Sequence, residues 1–140
     1  MKFRKFGQKD KGTFKYWVWH LIAFNTVAWK CKHWRPRHLF HDMEKPLLLL
    51  LWEDYRRVRL WHKHHNRHHL MYGIDHGFEN VNYIDMMIDW ESSHLTKADS
   101  KGSAREELED QLNGRAFYLS SAQKEYVRER ATEALEELGL

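Results

Sequence analysis

The sequence has few of the residues that dominate small secreted or fibrous proteins. Cys31 is its single cysteine, so no internal disulfide can form and a reducing compartment is expected. Only 2 prolines and 7 glycines occur among 140 residues, of which 42% are hydrophobic and 31% are charged. These proportions exclude a collagen-like chain and a disordered one. We expect one folded domain over residues 1–140.

Long apolar segments are also missing. The longest uninterrupted run, at 47–52, is far shorter than the roughly 20 residues that cross a bilayer. Residues 1–15 are basic but contain neither an unbroken apolar stretch nor a small-residue cleavage site, so no secretory signal is expected. The sequence therefore predicts a cytoplasmic protein without a membrane partner.

Charge is distributed unevenly along the chain. Residues 1–70 hold 16 Lys and Arg against 5 Asp and Glu (16 − 5 = +11), whereas residues 71–140 hold 7 against 15 (7 − 15 = −8). A basic arm is expected at 1–12 and acidic helices at 103–140. The basic half can attract phosphates, nucleic acid or the acidic half of its own chain, so charge alone selects no partner.

Apolar spacing predicts helices and no strands. Helices are expected over 13–32, 47–69, 82–95, 103–114 and 120–138. A connector at 33–38, a loop at 71–81 and a linker at 97–102 separate them. The predicted fold is all-α, a single compact bundle of about five or six helices.

Several helix ends carry recognisable signals. Thr13 is a candidate N-cap of the first helix, and Pro46 suits the first position of the second because proline there loses no hydrogen bond. Capping pairs are expected where a short polar residue precedes an acidic or amide residue by three positions. These pairs are Asn82 with Asp85, Ser103 with Glu106, and Ser120 with Gln123.

Histidines and aspartates form the chemically informative pattern. All 11 histidines lie between His20 and His94, and five of them fall within 62–69. His20 lies in the first helix, His41-Asp42 follows the next break, and Asp85 and Asp89 lie one turn apart in a later helix. Imidazoles and carboxylates from separate helices of a bundle are suitable ligands for a divalent cation.

The order of a histidine, a His-Asp dipeptide and a distal aspartate resembles the HD superfamily of metal-dependent phosphohydrolases, which are all-helical. The resemblance implies a metal held by His20, His41, Asp42 and Asp89, with water activated on it. Several HD subfamilies have a lysine three positions after the motif aspartate, and Lys45 matches it. The implied fold is a helical domain of HD type.

A closer resemblance covers most of the chain after residue 20. His64-His65-Asn66-Arg67-His68-His69 and the pair Asp89-Trp90 look like a bacterial and phage family of unknown function with HD-x-x-K, H-N-x-H-H and D-W motifs. The match favours Asp89 over Asp85 and implies a bacterial or phage-infected host cell. It implies metal chemistry but no particular substrate. Leu70 and Met71 stand where this family usually has a proline and an acidic residue.

The histidine block has its own helical geometry. On one continuous helix His65 and His69 share a face, as do His64 and His68, and the two pairs are about 100° apart. We expect His65 and His69 to face the site with His68 beside them, and His62 and His64 to matter less. The block would bind a second metal or a phosphate oxygen. Alternatively, it is a solvated, pH-sensitive helix end.

The first functional interpretation is a metal-dependent phosphohydrolase acting on a nucleotide or related phosphate ester, with one divalent ion or two. The sequence does not distinguish Mn, Fe, Co, Ni, Zn and Mg. Lys45 would neutralise phosphoryl charge and a block histidine would protonate the leaving group. The proposed catalytic residues are Lys45, His65, His68 and His69, and the substrate-binding residues are Arg35, Arg37 and Asn66.

Two other interpretations stay open. The chain is alternatively a non-enzymatic nucleotide or nucleic-acid binder, with its basic half as an electrostatic funnel. It is alternatively a structural metal protein with a closed site. The aromatic residues of the first helix are interpreted as core rather than as a base-stacking surface.

Overall fold

The computed structural model describes residues 14–52, 54–96, 102–116 and 118–140. Within these ranges the chain has seven α-helices and no strand, so the predicted all-α class is confirmed with more helices than expected. The helices are α1 (Phe14–Lys30), α2 (Glu44–Trp52), α3 (Tyr55–His65), α4 (Leu70–His76), α5 (Tyr83–Thr96), α6 (Ala104–Asp110) and α7 (Ser121–Leu138). None of these helices is both long and apolar enough to span a membrane. The predicted arm at 1–12, the Thr13 cap and most of the 97–102 linker lie outside the described residues.

Helix α5 is the centre of the core. It packs against α1, α6 and α7. Its consecutive residues Met86, Met87 and Ile88 are all fully buried, as expected for a helix covered on several faces. Phe24 of α1 and Leu135 of α7 belong to the same buried cluster. The core therefore fixes α1 against α5, which carry two of the candidate metal ligands.

The expectation of one long helix over 47–69 is wrong, because the chain forms two separate helices, α2 and α3, in this range. Helix α2 begins at Glu44, so Pro46 is its third residue, where the backbone N–H has no helical partner in any case. The Asp54 side chain accepts a hydrogen bond from the Arg56 backbone N–H and starts α3 as a new helix. Helix α3 ends at His65, and Asn66 is extended.

The loop expected over 71–81 is also largely helical. Helix α4 occupies Leu70–His76, and a 3₁₀ helix follows at Phe78–Asn80. Gly77, with φ +96°, separates them in a conformation that favours glycine. Glycine content alone was therefore a misleading loop signal here, because Gly73 lies within α4 and is buried.

Capping explains the ends of the later helices. The Asp85 backbone N–H donates to the Asn82 side chain at the start of α5, over 3.0 Å. Ser103 caps α6 by accepting from the Glu106 N–H. Ser120 and Gln123 form the expected reciprocal capping box of α7. After α6 the chain widens into a short π-helix at Gln111–Arg115, which includes Asn113 and Gly114 at the predicted end of this helix.

Candidate metal centre

Four buried side chains from three parts of the fold converge beside the core. His20 comes from α1, His41 and Asp42 follow a 3₁₀ helix at Pro36–Phe40, and Asp89 comes from α5. One ligand atom from each lies within 4.8 Å of the others. Asp42 has φ +56°, a left-handed conformation that aspartate tolerates better than most residues. This turn brings two successive side chains, His41 and Asp42, into the same buried site.

The separations between these atoms suit a shared ion. His20 Nε2 lies 2.9 Å from Asp89 Oδ1 and 3.2 Å from His41 Nε2. His41 Nε2 lies 3.1 Å from Asp89 Oδ1 and 3.4 Å from Asp42 Oδ1. Ligand atoms about 2.1 Å from one ion are about 3.0–3.4 Å apart in octahedral or tetrahedral geometry. The donor set can therefore hold a divalent cation without rearrangement of the helices.

Unused hydrogen-bonding capacity supports the same conclusion. Asp42 Oδ1 lies 3.1 Å from His62 Nε2 and 3.3 Å from His68 Nε2, but it receives no well-aligned hydrogen bond from either ring. His68 Nε2 and His20 Nδ1 are likewise buried without a partner. A buried polar atom left unpaired costs about 1–3 kcal/mol. Metal binding would offset that cost at Asp42 Oδ1 and His68 Nε2, because both point into the cluster.

A second group of possible ligands adjoins the first through Asp42. His62, His68 and His69 place ring nitrogens within 4.8 Å of one another, and so do ligand atoms of Asp42, Glu44 and His62. His69 Nε2 lies 2.8 Å from His62 Nε2, and the other nitrogen of His62 contacts Glu44 Oε1. Asp42 is therefore positioned between two histidine groups.

Packing holds the imidazoles in orientation. The His41 ring stacks on Phe24 with centroids 3.7 Å apart, and the Trp17 indole N–H donates to the His41 carbonyl oxygen. The hydroxyls of Ser92 and Ser93 donate to the Asp89 carbonyl oxygen one turn earlier in α5. The Phe24 stack therefore orients the His41 ring, whereas the tryptophan and serine contacts fix the backbone of two candidate ligands.

The protonation states of the cluster favour cation binding. Burial lowers the pKa of His41 to about 4, so its imidazole is neutral near pH 7. Burial raises the pKa of Asp42, but contacts with His41, Lys45 and His62 outweigh it and hold the pKa well below its usual range. Hydrogen bonds from His20 and His41 likewise outweigh burial and depress the pKa of Asp89. Neutral imidazoles and ionised carboxylates are the forms that bind metals.

Lys45 lies at the edge of this centre. Its ammonium donates to Asp42 Oδ2 over 2.7 Å. Burial lowers the pKa of Lys45, but Asp42 outweighs burial and raises it, so the ammonium stays charged. A cleft reaches the cluster here, and its lining includes Trp17, Lys45 and Tyr55 beside His20 and Asp42. The free space in this cleft is about the size of one water molecule, so water can approach Lys45 and the cluster together.

No protein-family model, curated protein or solved structure matches this chain. The resemblance to HD phosphohydrolases therefore depends on the motifs alone and stays a prediction.

The histidine block is arranged differently from the helical expectation. Because α3 ends at His65, His69 is not on the same helix, and the expectation that the two share one helical face is wrong. His65 is exposed, stacks on Trp61 and hydrogen-bonds the Trp61 carbonyl oxygen at 2.8 Å. His68 and His69 adjoin the cluster from the turn that follows α3.

His62 is the site residue that sequence reasoning missed. Its side chain is only 1% exposed and contacts Asp42 and Glu44. The available signal was its spacing of four residues from Val58, which is the other buried residue of α3. His64 instead pairs with Asp75 at the surface, 2.5 Å away.

The predicted substrate-binding residues lie outside the buried cluster. Arg35 is exposed, and Arg37 pairs with Asp85 over 3.2 Å. Asn66 donates to Glu44 Oε1 over 2.7 Å and so contacts the second ligand group. Asp85 also contacts His38 and lies apart from the four-residue cluster that includes Asp89.

Proposed function

We propose that this protein is a metal-dependent phosphohydrolase that cleaves a phosphate ester of a nucleotide or related compound with water. The observation that carries the proposal is Asp42 Oδ1, a buried oxygen that lies within 3.4 Å of three imidazole nitrogens and receives no well-aligned hydrogen bond from any of them. A cleft lined by His20, Asp42 and Lys45 gives water access to the centre, which a purely structural metal site does not need.

His20, His41, Asp42 and Asp89 would hold the first ion. Histidine nitrogens with carboxylate oxygens suit borderline and hard divalent metals, a class that includes Mn, Fe, Co, Ni, Zn and Mg. A divalent ion in such a site lowers the pKa of water to about 7 and polarises a phosphoryl oxygen. His62, His68 and His69 would hold a second ion, with Asp42 between the two groups.

The chain's own groups supply the remaining chemistry. Lys45 keeps Asp42 ionised and presents its ammonium to the cleft, where it would stabilise negative charge on phosphoryl oxygens. His68, whose Nε2 has no hydrogen-bond partner, is the best-placed block histidine to protonate a leaving oxygen if the second ion is not bound. His65 has no proposed role, because it faces away from the cluster.

The proposal is tested with untagged protein, since a histidine tag would bind metal. Metal content is measured by mass spectrometry, and nucleoside mono-, di- and triphosphates and cyclic nucleotides are screened for hydrolysis. Asp89→Asn is compared with Asp110→Asn, an exposed aspartate in α6. We expect Asp89→Asn to lose metal and at least about 100-fold in turnover, as typical for loss of charge stabilisation at a catalytic centre, and Asp110→Asn to retain both.

The outcomes separate the competing interpretations. Wild-type protein that contains no metal and is not stabilised by any of the six ions would overturn the proposal. Tightly bound metal with no hydrolysis of any phosphate ester would instead indicate a structural site. Cobalt substitution gives an independent check, because the visible spectrum distinguishes a closed four-coordinate ion from one with an open position.

A further inference from the structure

A second surface feature lies on the outer side of α1, away from the buried face that carries His20. It is an open groove lined by side chains from α1 and the 33–40 segment. Leu21, Asn25 and Trp34 are half-buried, and Ile22, Trp29 and Leu39 are exposed. The groove therefore has an apolar floor and an apolar rim.

The aromatic part of the groove is held rigid. Trp29 is 70% exposed, and its ring meets that of Trp34 with centroids 6.0 Å apart at 66°. The Trp34 indole N–H donates to Asn25 Oδ1 over 2.8 Å, and the Asn25 amide donates to the carbonyl oxygens of Leu21 and His38. This network fixes the orientation of Trp34 while leaving Trp29 accessible to a ligand.

The surroundings of the groove are basic. Residues 11–41 contain no Asp or Glu. Lys30, Lys32 and Arg35 are exposed, and within the described part of the chain none of the three has an ion-pair partner. Three acidic groups approach from other helices: Glu137 lies 3.7 Å from His33, Asp85 pairs with Arg37, and Glu91 lies near Cys31, where burial and this carboxylate raise the pKa of the thiol. None of the three forms an ion pair with Lys30, Lys32 or Arg35.

We infer that this groove binds single-stranded nucleic acid. Exposed aromatic rings on which bases stack, interleaved with cations that contact phosphates, are the features that such proteins use. From Leu21 to Lys30 the groove runs along about 14 Å of helix, the length of about four stacked nucleotides. A flat anionic bilayer would contact only the rim, and the bases of a duplex are already stacked on each other.

The groove adjoins the metal-centre cleft, because Trp17 of the cleft and Leu21 of the groove are one turn apart on α1. If the proposed function holds, a strand that extends beyond the groove along α1 would approach the cleft that Lys45 lines. Binding in the groove does not depend on that step, so it is tested separately from hydrolysis.

The experiment measures fluorescence anisotropy of labelled 12-nucleotide single strands of DNA and RNA with the untagged protein as purified. The duplex of the same sequence and phosphatidylserine vesicles serve as comparisons. The oligonucleotide is examined on a gel afterwards, so that binding and cleavage are scored independently. We expect the single strands to bind more tightly than the duplex and the vesicles.

The variants test the aromatic and the basic parts separately. Trp29→Ala is expected to weaken single-strand binding about 5- to 150-fold, and Trp29→Phe to restore most of it. Lys30→Gln is expected to reduce the slope of log K against log salt by about 0.7. The control for the aromatic part is Ile74→Ala, an exposed apolar residue on α4. The control for the basic part is Lys124→Gln, a half-buried lysine on α7 that lies 13 residues, about 20 Å of helix, from Glu137, which contacts His33.

Several results would overturn the inference. They are equal binding by Trp29→Ala and Ile74→Ala, equal affinity for single strand and duplex, or preference for vesicles. Absence of single-strand binding at low salt would do the same. If Trp29→Ala fails to fold, Trp29→Phe and the salt slope of Lys30→Gln against Lys124→Gln decide the question. Hydrolysis of a nucleotide without strand binding would overturn this inference and leave the proposed function intact.

Discussion

Among single residues, Asp42 organises the candidate centre. Its Oδ2 accepts from Lys45, and its Oδ1 faces the imidazoles of His41, His62 and His68. Its left-handed backbone also forms the turn that directs His41 inward. A substitution at Asp42 would therefore change the turn and the charge together, so variants at its partners are more informative about ligand function.

His62 and His65 provide a matched pair within α3. We expect His62→Gln to weaken metal binding about 10- to 100-fold and to destabilise the fold by about 1–3 kcal/mol, because Asp42 and Glu44 lose a buried partner. His65→Gln should change neither property, because His65 is exposed. Metal content and urea unfolding measure both effects. If the two variants have the same metal content and the same stability to urea, the result favours the alternative that the histidine block is a solvated, pH-sensitive helix end.

Asp85 gives a pH-dependent prediction at the same scale. Burial raises its pKa, but the hydrogen bond with His38 and the nearby Arg37 outweigh burial and lower it. Because the folded pKa lies below the unfolded one, Asp85 stabilises the fold above about pH 4, and the contribution is lost as pH falls through the folded pKa. We expect Asp85→Asn to lower the free energy of unfolding by about 1–3 kcal/mol near pH 6. The difference in this free energy between the variant and wild type should become smaller towards about pH 3.

Urea unfolding between about pH 6 and pH 3 measures this difference. Asp110→Asn, at an exposed position, serves as the control and should follow wild type throughout. If the difference in unfolding free energy between Asp85→Asn and wild type is constant with pH, the carboxylate charge does not contribute to stability.

Two of the helices beside the candidate centre, α2 and α4, contribute little to the core. Helix α2 buries none of its residues, and α4 buries only Leu70 and Gly73. The positions of these helices depend on close local contacts rather than on a large apolar face. At Gly73 an added Cβ would lie 2.5 Å from the Phe78 ring and 2.9 Å from a Val81 methyl group.

We therefore expect Gly73→Ala to destabilise the fold by about 1–3 kcal/mol through overpacking, despite the higher helix propensity of alanine. Gly114→Ala is the matched control, because nothing lies within 4 Å of the added Cβ. It should be neutral or stabilise by up to about 1 kcal/mol. Thermal unfolding of both variants is the measurement, and a Gly73→Ala protein as stable as wild type would show that α4 shifts freely.

At the scale of the whole molecule, the two oppositely charged halves neutralise each other only in part. Ion pairs such as Arg37–Asp85 and His33–Glu137 join them. Others, including Arg115–Glu107 and Arg128–Glu109, lie within the acidic half itself. The groove on α1 consequently remains basic.

The candidate metal centre also joins distant parts of the molecule, since its candidate ligands come from α1, from the turn after Phe40 and from α5. Removal of bound metal by a chelator is expected to lower the melting temperature by about 10 °C, as for an ion present at about 100 times its dissociation constant. Scanning calorimetry with and without chelator tests this. The Asp89→Asn variant should melt at the same temperature in both conditions.

The sequence by itself determined the helical class and several helix ends. Apolar spacing at 3.6 residues and the Ser120–Gln123 box are local properties, so they needed no tertiary information. Motif order likewise led to His20, His41 and Asp89 as residues that the fold brings together. Local rules failed between 54 and 76, where the Asp54 cap competed with an uninterrupted helical pattern and Gly73 was accommodated by close packing.

Only the tertiary structure decided which histidines of the 62–69 block meet Asp42. A helical projection gives the angles between side chains of one continuous helix. Because α3 ends at His65, the projection does not apply to the histidines that follow it. The chain reverses after that point, so His68 and His69 approach the cluster from a turn while His62 approaches from the helix. Burial of His62 beside Val58 depends on contacts with residues 18 or more positions away, such as Glu44, which no local pattern encodes.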